Sequence, residues 1–225
     1  MKLFVVLICA HILGDFLLQP DTLAKNKHYF FVSFFHAAIH AFLVWLLAEV
    51  WLLWGLPAVV LLSHFLIDFS KQRVRDTAFA FVVDQVLHVI VLAAWAFVLY
   101  RCGYSERLGV LYRPLVFCSG FIATVQSSGF LIAKVAQQLV EENQLNLNGL
   151  KRGGMLIGQL ERVLIFLLIY IGQPMGIGFL VAAKSILRFE EAKKQELAEY
   201  VLIGTFLSFS LAIALSTLTF KAMNL

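Results

Sequence analysis

The chain has 225 residues, 61% of them hydrophobic and only 14% charged, with a formal net charge of +4. Together with a mean hydropathy of +0.86, this composition excludes a soluble globular domain. The positive balance reads as loop lysines and arginines, with no nucleic-acid surface implied. Cys9, Cys102 and Cys118 are scattered without CxxC or other ligand spacing, which excludes a disulfide framework and a sulfur-rich metal site.

A hydrocarbon core of roughly 30 Å takes about 20 apolar residues in helical form, and such runs recur along the whole length. The expected fold class is all-α: a polytopic helical membrane protein with eight segments at roughly 1–19, 29–50, 55–70, 79–100, 115–137, 154–171, 174–189 and 198–220. In the first, Lys2 precedes an apolar run as in a signal peptide. His11 and Asp15 interrupt that run, however, and no small-x-small cleavage site follows, so it reads as a retained span. The second carries "HAAIH" and ends near Trp51 and Trp54, which mark an outer interface. The third carries "HFLID" and is followed by "KQRVR", a topology determinant with a sharper alternative role in holding anionic headgroups next to Asp68. The fourth opens with "DQVLH".

In the fifth segment Gln126, Ser127 and Ser128 read as helix-packing contacts. The stretch from Glu141 to Arg152 is the longest polar connection and a candidate boundary between halves. By chemistry, residues 1–100 form an N-terminal four-helix His/Asp membrane bundle and 115–225 a C-terminal four-helix membrane region. "GMLIG" in the sixth segment places Gly154 and Gly158 at a small-xxx-small spacing. "GQP" predicts a tight turn before the seventh, with Pro174 starting the next helix. The third, sixth and seventh segments are short for a full crossing.

If all eight segments cross, eleven of the 18 lysines and arginines fall on one face and five on the other, leaving Arg162 and Lys184 inside spans. The positive-inside rule then puts the richer face in the cytoplasm and both termini outside. The expected localisation is the cytoplasmic (inner) membrane, multi-pass.

Four pairs of costly residues recur inside these apolar runs: His11 with Asp15, His36 with His40, His64 with Asp68, and Asp84 with His88. A spacing of four puts both members of a pair on one helical face. Five of the six histidines belong to the set, and only His28 lies outside it. In alternating topology all four pairs fall in one leaflet. His11, His40, His64 and His88 make the deeper level; Asp15, His36, Asp68 and Asp84 make the shallower one. The fourth segment reverses the order of the first and third because it runs antiparallel to the two of them.

An isolated carboxylate in hydrocarbon costs several kcal/mol, and sharing a divalent cation offsets that cost. Imidazole with carboxylate suits zinc, manganese or iron. Eight donors on two levels suit two metals, or one metal with the remaining side chains orienting its histidines. Such a centre can activate water and clamp a phosphoryl or acyl oxygen. The competing readings are a purely structural polar network, a proton path of alternating Asp and His, and bis-histidine haem ligation, which three aspartates fit poorly.

Elsewhere, "GQLER" brings Glu161 and Arg162 into a span, and "AKSILRF" sets Lys184 and Arg188 four apart. These read either as mutual salt bridges with snorkelling side chains or as a basic pocket, Lys184 and Arg188 holding a lipid phosphate or other anion. The 21 phenylalanines read as lipid-facing surface.

"AHILGDFLLQ", "HAAIHA", "SHFLIDFSK" and "FVVDQVLH", followed by "GQLERVLIF", "GFLVAAKSILRF" and "EYVLIGTFLSF", resemble over nearly the whole chain a bacterial integral membrane family catalogued only as a domain of unknown function (3307). The N-terminal half is also distantly similar to membrane proteins named as metal-dependent hydrolases on motif grounds. That resemblance implies a reaction class and no substrate. The leading expectation is therefore a membrane metalloprotein, a hydrolase acting on a lipid-linked or otherwise membrane-delivered substrate, with a divalent-metal transporter and a membrane adaptor with a structural polar core as the alternatives.

Overall fold

The computed structural model describes residues 1–49, 51–104, 109–145, 152–187 and 195–225, and among them every regular element is helical. Helix α1 (Lys2–Ile12) runs directly into a π-helical turn, Leu13–Leu17, closed by Leu18 N–H donating to the Leu13 carbonyl at 2.9 Å. Pro20 stops this element, because its ring supplies no N–H and its backbone is extended (ψ 157°). A short helix α2 (Asp21–Lys25) follows, and then α3 (Phe30–Leu47), α4 (Gly55–Lys71) and α5 (Ala78–Arg101). Thr77 caps α5, its Oγ1 accepting from Ala80 N–H at 3.1 Å. A long helix is made of α6 (Tyr112–Ile122), a second π-helical turn (Ala123–Ser127) and α7 (Ser128–Asn143). The chain closes with α8 (Gly153–Tyr170), α9 (Gly176–Leu187) and α10 (Gln195–Met223).

Among the described residues, five helices are long and apolar enough to cross a membrane: Phe30–Leu47, Ala78–Arg101, Tyr112–Asn143, Gly153–Tyr170 and Gln195–Met223. The chain is thus a multi-pass helical membrane protein. The other three runs expected to cross form shorter helices: α1 has 11 residues before its π-turn, α4 has 17 and α9 has 12. The side chains on the outside suit lipid, with Phe31, Phe79 and Phe179 all exposed. "GQP" does form a turn, with Gly172 at φ +72°, but α9 starts at Gly176 and Pro174 lies ahead of it, its carbonyl accepting from Ile177 N–H at 3.1 Å.

The described residues divide into two compact units. In the first, Met1–Ile122 with Lys221–Leu225, α3 and α4 pack as an antiparallel hairpin, α1 lies against α3, α5 and α6, and α4 lies against α5. Its core is Val6, Leu7 and Ala10 of α1 with Val44, Leu56, Val60, Leu92 and Val116. Trp45 stacks on Trp54 and meets Trp51 edge-on at the α3–α4 connection. Tyr112 Oη donates to the Ala222 carbonyl at 2.8 Å.

In the second unit, Ala123–Phe220, Ile165, Ile177, Phe209 and Ala212 form the buried core. Gly158 makes room for the Arg162 guanidinium, and among the described residues nothing approaches the Cβ position of Gly154. The pair does not serve as the close helix-contact stripe its spacing predicts.

Candidate metal centre

All eight His and Asp side chains of the four pairs come together inside the first unit, contributed by α1 with its π-turn, α3, α4 and α5. His36 is fully buried, His11, His40, His64, His88, Asp68 and Asp84 are nearly so, and the Asp15 side chain is 9% exposed. Every ring of the deeper level touches another. His40 stacks on His64 with centroids 3.7 Å apart, His64 meets His88 at 4.3 Å, and His11 stacks on His88 at 4.8 Å.

Asp15 is the hub. Its Oδ1 accepts from His36 Nε2 at 3.1 Å and lies 3.2 Å from His40 Nε2 and 3.7 Å from His64 Nε2. Its Oδ2 lies 3.5 Å from His11 Nε2 and accepts from Gln85 Nε2 at 3.2 Å. Asp68 Oδ2 sits 3.6 Å from His64 Nε2 and 3.7 Å from His36 Nε2. Two donor sets thereby have all their ligand atoms within 4.8 Å of one another: Asp15, His36, His40 and His64, and His64, Asp68 and His88. His11 and Asp84 stand beside these sets, His11 against the outer oxygen of Asp15 and Asp84 against Gln85, whose Nε2 also donates to Asp84 Oδ2 at 3.2 Å.

The donors fit a divalent cation on two counts. Zinc–nitrogen bonds of about 2.0–2.1 Å in a tetrahedron imply donor–donor edges of about 3.3–3.4 Å, and the three histidine separations from Asp15 Oδ1 (3.1, 3.2 and 3.7 Å) bracket that edge. Secondly, the Nε2 atoms of His11, His40, His64 and His88 are buried and make no hydrogen bond. Three of them have carboxylate oxygens nearby, His40 at 3.2 Å, His11 at 3.5 Å and His64 at 3.6 Å, and buried imidazole nitrogens short of hydrogen bonds are costly in an apolar interior. They border a cavity of about 10 Å³, room for one water, walled otherwise by Leu7, Val44, Val60, Ser63, Val91 and Leu92. His88 shows how the tautomer is set: Nδ1–H donates to the Asp84 carbonyl one turn back at 2.9 Å, leaving the Nε2 lone pair facing inward.

Local backbone supports the approach. A Cβ on Gly14 would come within 2.7 Å of three atoms of the His40 ring, so "HILGD" needs a glycine at that position for the π-turn and α3 to close. The π-turn containing Gly14 and Asp15 is the kind of helix insertion often found at functional positions.

Sequence reasoning missed three side chains. Lys27 Nζ donates to Asp68 Oδ2 at 2.8 Å and Lys71 Nζ to Asp84 Oδ2 at 2.7 Å. Lys71 therefore does more than set topology, and Gln85, the neighbour of Asp84 in "DQVLH", bridges two carboxylates. Only the adjacency of Gln85 and Lys71 to the motifs signalled them; the loop residue Lys27 gave no signal.

In the second unit, Lys184 Nζ pairs with Glu161 Oε2 at 2.8 Å, the mutual salt bridge among the two readings of this region, and Arg188 lies outside the described residues. Arg162 has a different role from its sequence neighbour. Its Nε and Nη2 donate to the Val125 carbonyl at 3.1 and 3.0 Å, an acceptor in the second π-turn, and Nη1 donates to Ser208 Oγ at 3.2 Å. Gly129 and Gly158 leave the space this guanidinium fills.

Residues 3–109 match the family model described as "Protein of unknown function (DUF3307)". The matched segment holds all eight His and Asp residues and both lysines. It stops short of "GQLERVLIF" and the later motifs, so the likeness is shown for the N-terminal part and not over nearly the whole chain. No curated protein and no solved structure matches the chain.

Proposed function

We propose that this protein is an integral membrane metalloprotein, a metal-dependent hydrolase acting on a membrane-delivered substrate at the cytoplasmic leaflet of a bacterial inner membrane. On this reading all eight apolar segments cross, zinc is the favoured ion with manganese or iron as alternatives, and α1, α3, α4 and α5 are the metal-binding bundle. The observation that carries it is the convergence of buried His36, His40 and His64 on Asp15 Oδ1 at 3.1, 3.2 and 3.7 Å, with the Nε2 atoms of His40 and His64 making no hydrogen bond.

Asp15, His36, His40 and His64 would hold one ion, and His64, Asp68 and His88 form the second donor set. A divalent ion there supplies Lewis acidity, lowering the pKa of water and polarising a phosphoryl or acyl oxygen. The protein's own residues do the positioning. Gln85 fixes the outer oxygen of Asp15, the Asp84 carbonyl orients His88, and apolar walls keep bulk water out of the deep side. Those walls also favour hydrolase over transporter, since beyond the imidazoles the cavity meets Leu7, Val44, Val60, Ser63, Val91 and Leu92 and, among the described residues, no carboxylate.

The test is elemental analysis of the detergent-purified protein, followed by hydrolysis of chromogenic aryl phosphates and esters. Stoichiometric metal is expected, with Asp68→Asn folding but losing turnover. Protein that folds fully with no bound metal under any supplementation would sink the reading, and uptake of radiolabelled metal into proteoliposomes would favour the transporter.

A further inference from the structure

The two lysines on the carboxylates are placed unlike ordinary surface cations. Each has its ammonium on a nearly buried aspartate, while its side chain stays partly in solvent, 20% exposed for Lys27 and 32% for Lys71. Their loops are tied together, Gln72 Nε2 donating to the Lys27 carbonyl at 2.9 Å. The two loops, 18–29 and 72–77 with Lys71 at the end of α4, bring Lys25, Lys27, Lys71, Arg73 and Arg75 to one end of the unit, against Asp21 and Asp76 in sequence. This end is therefore a basic collar directly over the shallower level of the centre.

Charge counting gives the collar a task. Counted formally with uncharged imidazoles, Asp15, Asp68 and Asp84 with Lys27 and Lys71 sum to one negative charge. A divalent cation among the donors turns that into one positive charge. Asp68 belongs to a donor set and has its Oδ2 already occupied by Lys27 at 2.8 Å. Cation and ammonium compete for that oxygen, and an ammonium leaving it needs a new anion.

We propose that Lys27 is an exchangeable counter-cation of the centre, which a bound divalent ion frees to hold a phosphate or phosphodiester group presented at the basic collar. This rests on the metal-centre reading above and adds a substrate class to it: an anionic phosphorus compound, carried by a lipid headgroup or free in solution. Metal and phosphate then bind with positive coupling, each tightening the other by the same factor.

The test uses the full chain in lipid nanodiscs, titrated with zinc and with inorganic phosphate by calorimetry. Zinc loading is expected to tighten phosphate by about tenfold or more, within the usual span of coupling energies. Lys27→Met should bind zinc as tightly as the wild type or more tightly, because a competitor is gone, yet lose the zinc-dependent gain for phosphate; Lys27→Arg should restore the gain. A lysine with a merely structural role would instead lose zinc along with phosphate. Lys71, whose partner Asp84 lies outside both donor sets, gives the control: Lys71→Met should keep the zinc-dependent gain, and a Lys27→Arg chain that folds without showing the gain would overturn the proposal. Discs of phosphatidylglycerol against phosphatidylcholine separate the sources: a lipid headgroup competes with added phosphate only in the former, whereas a site for free phosphate is indifferent. Wild-type protein that takes up no zinc brings down the metal reading itself. Zinc uptake with unchanged phosphate affinity brings down this inference alone.

Discussion

The His40 imidazole occupies the space that any side chain at Gly14 would need. One residue without a Cβ thus lets two helical elements close around the hub carboxylate of Asp15. Gly14→Ala should push the ring away and misplace one donor of the four. The expected result is a large loss of bound metal, with a fall in unfolding free energy of about 1–3 kcal/mol, the usual range for overpacking a filled interior. Elemental analysis beside thermal unfolding in detergent checks both halves, and an alanine variant with full metal content would contradict the geometry.

Gln85 makes the second prediction. Its amide donates to Asp15 Oδ2 and Asp84 Oδ2, both at 3.2 Å, so it orients two carboxylates without being in either donor set. Replacing such an outer partner commonly weakens metal binding by about 10–100-fold. Gln85→Leu should show that loss in a competition titration against a chromophoric chelator while keeping its helical circular dichroism.

Metal removal should be visible as stability. An ion that binds the folded chain alone adds about 2.7 kcal/mol when its concentration is a hundred times its dissociation constant. Dialysis against a chelator is expected to lower the thermal midpoint, and graded return of zinc to raise it continuously. A midpoint indifferent to chelator and to zinc would show that the imidazoles hold no ion.

Arg162 supplies a prediction in the second unit. Its guanidinium is 4% exposed and donates to Val125 and Ser208. Arg162→Ala leaves a π-turn carbonyl without its donor, a change expected to cost about 1–3 kcal/mol for the orphaned buried acceptor. Arg162→Lys should recover little, because an ammonium cannot reproduce the fork on one carbonyl. Urea-induced unfolding monitored in micelles would measure both.

Helical spacing made the site unusually readable. Residues four apart share a face, and matching depth follows from alternating chain direction, so the eight donors of the four pairs could be grouped before any coordinates. What spacing does not encode is which loop cation folds back over a helix end, and Lys27 was invisible for that reason. The π-turns were equally hidden: "HILGD" reads as an ordinary helical pair, and nothing local in "ATVQS" announces the carbonyl that Arg162 takes up. Apolar run length overstated how many helices reach crossing length: α1 passes into a π-turn after Ile12, and α9 begins only at Gly176, past Pro174. The "GMLIG" spacing misled in a related way, since one of its glycines clears a side chain of its own helix.

His64 is a member of both donor sets, yet its inward nitrogen offers one pair of electrons. Two ions competing for it would not load independently: the first arrival weakens the berth left for the second. Occupancy should then rise in two unequal steps, and a molecule meeting scarce metal would hold a single ion long before it held two.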